Sequence, residues 1–164
     1  MVEDLFLTDA FLIKGRLAGK YHRLRKVLED AGRTFLTIED ATMIALRGSD
    51  VVRTPSVLVN TRELILAHEL VDMAGDDAQR ALARNAKSTR IRAFYNGNVQ
   101  LEIAGKIEPG AYEPSRTAGQ RYFVVQEPVI RGLNLDGANE LRLLKNLSYA
   151  IVQKDRLAYV YDFS

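Results

Sequence analysis

The chain has 164 residues, 47% hydrophobic and 27% charged, with a formal net charge of +2, the composition of one ordinary globular domain or two small ones. Its cysteine count is zero, which excludes disulfides, thiolate metal sites and cysteine nucleophiles together. No stretch nears the roughly eighteen uninterrupted apolar residues of a membrane-spanning helix. The acidic start Met1-Val2-Glu3-Asp4 lacks the basic and apolar regions of a signal peptide, so a cytoplasmic address without membrane insertion is expected.

The first element is Phe11–Leu17, where apolar and polar residues alternate around Gly15. A glycine inside a strand pattern marks a bulge or a sharp bend. Leu24, Val27, Leu28 and Ala31 then follow at i, i+3, i+4 and i+7, one face of a helix near residues 21–31, with Gly32 where a left-handed stop is wanted. Phe35, Thr37 and Glu39 alternate with Leu36 and Ile38, a strand signal. Val57-Leu58-Val59 and Leu64-Ile65-Leu66 flank the polar run Asn60–Glu63, the pattern of a hairpin with a four-residue connection.

Residues 73–92 form a connector with 5 basic and 2 acidic groups, whereas residues 1–72 carry 10 Lys+Arg against 11 Asp+Glu. Asp76 or Asp77 is placed to N-cap a helix through residues 78–84. Beyond it the earlier blocks return in order. Leu101–Ile107 with Gly105 repeats Phe11–Leu17, and Ala118–Glu127 repeats Ala31–Glu39 with one extra residue. Residues 150–163 repeat residues 57–70. Pro109 and Pro114 rule out a counterpart of the helix, and a short helix is expected instead at Glu140–Lys145. The sequence therefore predicts a mainly β, α+β protein with one or two short helices, built as a tandem duplication of small β-barrel or β-roll units. Their expected spans are 1–72 and 93–164, joined by 73–92.

The apolar–polar turn–apolar blocks at 57–66 and 150–160 are similar to the closing strands of Sm-like and SH3-like small barrels. Arg23-Leu24-Arg25-Lys26-Val27-Leu28-Glu29, Phe35–Ala41 and Leu58-Val59-Asn60 together resemble an uncharacterised bacterial β-rich repeat family. That resemblance covers about fifty residues and implies architecture, with no reaction attached.

Candidate chemistry is sparse. His22 sits among Lys20, Arg23, Arg25 and Lys26, where a cation would be repelled, and His68 has no ligand-spaced companion. Both read as structural or solvent-exposed. The recurring carboxylates Glu39 with Glu127 and Glu69 with Asp162 read as solvent-facing strand residues. Gly15 and Gly105 lack the following Lys-Ser/Thr of a phosphate loop, and Ser56 and Ser148 lack a Gly-x-Ser-x-Gly frame. No enzyme and no cofactor is expected. Two surfaces remain. Arg23, Arg25, Lys26, Arg80, Arg84, Lys87, Arg90 and Arg92 could track a phosphate backbone or an acidic partner. Tyr159, Tyr161 and Phe163 mark the last strand as an edge for pairing with another chain. The leading expectation is a non-enzymatic adaptor or structural subunit acting through protein contacts or self-assembly. A nucleic-acid-binding module is the alternative.

Overall fold

In the computed structural model, residues 3–20, 22–30, 32–48, 50–70, 88–97, 99–113 and 120–163 are described. The first five strands are β1 (Asp4–Leu7), β2 (Phe11–Leu17), β3 (Phe35–Ala45), β4 (Val51–Asn60) and β5 (Leu66–Glu69). The second five are β6 (Thr89–Asn96), β7 (Gln100–Ile107), β8 (Tyr122–Arg131), β9 (Tyr149–Gln153) and β10 (Tyr159–Asp162). The helix α1 is Leu24–Leu28, shorter than its apolar spacing predicts, with Leu24, Val27 and Leu28 buried. Leu141–Lys145 is a 3-10 turn, so the second short helix is present in tighter form.

All ten strands join one antiparallel sheet in the order β10-β6-β7-β8-β9-β5-β1-β2-β3-β4. Among the described residues the expected closed barrels are not formed; the sheet is continuous and open at both ends. The physical reason lies at its middle, where β9 pairs with β5 and spends the two edges that closure would have needed. Each run of five strands nevertheless has one internal order: fifth, first, second, third, fourth.

Two predicted hairpins are corrected. A 3-10 turn at Thr61–Glu63 turns the chain out of β4 and carries β5 to the opposite side of its run, where it pairs with β1. Lys154–Arg156 does the same between β9 and β10, and β10 pairs with β6. The apolar–polar–apolar signal was real, but it marks a crossing between distant strands.

The glycine bulges are where the alternation places them. Strand register shifts between Lys14 and Arg16 opposite β3, and between Ala104 and Lys106 opposite β8. A Cβ on Gly15 would stand 2.6 Å from Ile38 Cγ2, and one on Gly105 2.5 Å from Val125 Cγ1. Opposite these bulges, Asp40 and Glu127 take positive φ values of 49° and 50°, and each is engaged by the cation after the glycine, Arg16 and Lys106. By this geometry the matching positions lie one residue from the sequence pairing of the middle block. Asp40, not Glu39, is the structural counterpart of Glu127, and Leu36, not Phe35, that of Phe123.

The core has two layers on opposite faces of the central strands. Phe6, Ile13, Leu17, Leu36, Ile38 and Val59 pack with the face of α1. Ile91, Ile103, Phe123, Val125 and Val152 pack with Leu5, Leu7, Leu12 and Leu66 from the first run. β1 and β5 are thus buried on both faces, as alternate residues of a strand serve opposite layers. Neither run has a core wholly its own.

Candidate functional site

The central junction shows how this sheet accepts a strand. Leu66 lies opposite Val152 and Ala67 opposite Ile151. The Gln153 N–H donates to the Ile65 carbonyl at 3.1 Å. The Gln153 side-chain amide donates to the Thr61 and Leu64 carbonyls at 2.9 and 2.7 Å, satisfying the backbone of the 3-10 crossing. His68 places Nδ1 2.9 Å from the Tyr149 carbonyl, with its ring 4.6 Å from the tyrosine ring. His68 is a buried structural group.

Elsewhere the runs are stapled by Glu29, whose carboxylate accepts from the Arg121 and Tyr122 N–H groups at 2.8 and 2.9 Å. Tyr95 donates to Asp9 at 3.3 Å and carries Arg156 over its ring at 4.9 Å.

The outer strands contrast with this junction. By pairing position, β4 stands to its run as β9 stands to the second, and β10 stands as β5 does. Leu58 of β4 is 62% exposed, whereas Ile151 at the corresponding place in β9 is 2% exposed. Tyr159 and Tyr161 are 69% and 59% exposed, whereas Leu66 and His68 are 0% and 8% exposed. Phe163 is exposed too and meets the Tyr161 ring edge-on at 4.7 Å. The alternation of β10 puts Tyr159 and Tyr161 outward with Val160 between them half-buried. Among the described residues, no strand pairs with the outer edge of β4 or of β10.

The described basic candidates lie on two elements, α1 with the residue before it and β6. Arg25 and Lys26 are exposed on α1, while Arg23 reaches Glu69 at 3.2 Å. Arg90 and Arg92 belong to strand β6, with Arg92 paired to Glu102 at 2.7 Å. Arg80, Arg84 and Lys87, with the helix predicted over 78–84, lie outside the described residues.

A buried ionic cluster carries no signature in the sequence pattern. Glu69, expected at the solvent face, is buried beside the fully buried Asp4. Lys20 bridges them, 3.0 Å from Asp4 and 3.3 Å from Glu69, and the Leu24 N–H also donates to Glu69. Burial pushes the Asp4 carboxyl up to about 6, against the opposing pull of Lys20. The cluster ties the segment before α1 to β1 and β5. Asp162, the counterpart of Glu69, accepts from the Tyr112 hydroxyl at 2.8 Å and so fastens the unshared loop between β7 and β8. Both carboxylates hold a peripheral connection against the last strand of their run.

A recess between the end of β3 and the loop before Leu141 is lined by Ile44, Leu46, Val51, Asn134 and Ala138 and by no titratable side chain. No protein-family model, curated protein or solved structure matches the chain.

Proposed function

We propose that the chain is a non-enzymatic structural or adaptor subunit whose working surfaces are the two outer strands of its sheet. The single observation that carries this reading is the exposure of large apolar side chains on both open edges, Leu58 at one and Tyr159, Tyr161 and Phe163 at the other. Exposed edge strands present unpaired N–H and C=O groups that template pairing with another chain. Proteins that remain monomeric blunt such edges with charge or cover them, and β10 carries aromatics instead. We read the two runs as copies of one unit, each with the fifth-first-second-third-fourth strand order, similar to Sm-like and SH3-like units. Their fusion through β9 and β5 is then an example of what the outer edges do.

Nucleic acid is the less favoured partner. Of the described basic residues, Arg23 and Arg92 are engaged by carboxylates, so their charge is largely compensated within the chain.

Sedimentation velocity of the purified chain over a hundredfold concentration range tests the reading. The expected result is a mass above the 18.4 kDa of one chain that rises with concentration. A single 18.4 kDa species throughout, with salt-sensitive binding to RNA or DNA, would overturn it in favour of the nucleic-acid reading.

A further inference from the structure

We infer that the partner of these edges is a second copy of the same chain, with β10 of one molecule pairing head-to-tail with β4 of the next. This rests on the two-edge reading above and gives it an occupant and a register. The internal junction is the template. There, the fourth strand of one run lies against the fifth strand of the other. The two strands left at the ends of the sheet are again a fourth, β4, and a fifth, β10. Repeating the internal step once more therefore brings β10 of one molecule onto β4 of another. It brings no like pair together, so the contact is heterologous, and successive copies build a ring or a filament.

The register follows without freedom. Leu66 pairs with Val152 and Ala67 with Ile151 at the junction. Tyr159 and Val160 occupy the places of Leu66 and Ala67, because Tyr159 pairs with Phe94 as Leu66 pairs with Leu7. Val59 and Leu58 occupy the places of Val152 and Ile151, since they face Leu36 and Thr37 as the latter pair face Phe123 and Val124. Between molecules, Tyr159 then meets Val59 and Val160 meets Leu58. A slip by one residue would turn each side chain to the wrong face. The exposed Leu58 is covered by Val160 as Ile151 is by Ala67, and Tyr161 falls beside Ser56 as His68 falls beside Tyr149. Pro55 stands just outside this stretch of β4. Lacking an N–H, it stops the pairing from running further along the strand.

The chain contains no cysteine, so the register is open to direct cross-linking. Leu58→Cys and Val160→Cys chains are prepared separately, mixed and oxidised. The expected product is a disulfide-linked pair containing one chain of each variant, with neither variant cross-linking to itself. Leu58→Lys supplies a second readout that needs no disulfide. It is expected to lower the solution mass while leaving the melting temperature equal to the wild type's at dilutions where both are single chains. Oligomers that survive Leu58→Lys and give no mixed cross-link would overturn the pairing yet leave the structural-subunit reading standing. A chain that stays monomeric at every concentration would overturn both. Self-cross-linking of Val160→Cys alone would overturn the head-to-tail sense.

Discussion

The buried pair Asp4 and Glu69 makes one residue into a pH probe. Asp4 is fully buried, and its carboxyl rises from 3.8 to about 6 because burial disfavours the charge more than Lys20 favours it, with Glu69 adding to the rise. The folded chain therefore holds this proton more tightly than the unfolded one. Asp4 contributes stability that is fully present below pH 3.8 and is lost as pH rises towards about 6. The loss is on the order of 3 kcal/mol, at about 1.4 kcal/mol per pKa unit. Denaturant melts of the wild type and of Asp4→Asn between pH 4 and pH 7 check this. The wild type is expected to lose stability across that window relative to the variant. Parallel profiles would show that Asp4 ionises in the fold as it does in water. The cluster was illegible in the sequence because Asp4, Lys20 and Glu69 are far apart along the chain and become neighbours only through β1–β5 pairing.

At the scale of the element, β4 and β9 are strands of corresponding position in unlike surroundings. Ile151→Ala is expected to cost about 2–5 kcal/mol, the usual loss for a buried aliphatic side chain. Leu58→Ala is expected to change the stability of the single chain by less than about 0.5 kcal/mol, as exposed substitutions do. Urea melts at the lowest workable concentration separate the two. Equal losses would mean that Leu58 is already covered in the single chain. Strand periodicity placed β2 and the glycine bulges, because alternation and the missing glycine Cβ are local properties. Partners across the sheet were beyond it. The runs at 57–66 and 150–160 read as hairpins because a 3-10 crossing at Thr61–Glu63 uses the same polar residues as a hairpin loop. The middle repeat was read one residue out because Phe35 and Phe123 look alike. One is exposed and the other buried, and it is Asp40 and Glu127 that share the left-handed backbone opposite the two bulges.

For the whole molecule, the decisive feature is a sheet whose two ends are unlike and correspond to the two sides of its own central junction. Mainly β architecture was legible in the sequence. The open sheet was not, since whether a run of five strands closes on itself or pairs with a neighbour depends on which edge reaches it first. The aromatics of the last strand stood out at Tyr159, Tyr161 and Phe163, while the exposed Leu58 was hidden inside an apparent hairpin. Mixing two edge-blocked chains tests most directly whether these edges fit each other. Leu58→Lys leaves β10 intact, and Tyr159→Lys leaves β4 intact. By sedimentation velocity each variant alone is expected to run as the 18.4 kDa chain, and an equimolar mixture as a species of twice that mass and no larger. Higher oligomers from either variant alone, or a mixture that stays at 18.4 kDa while the wild type assembles, would contradict it.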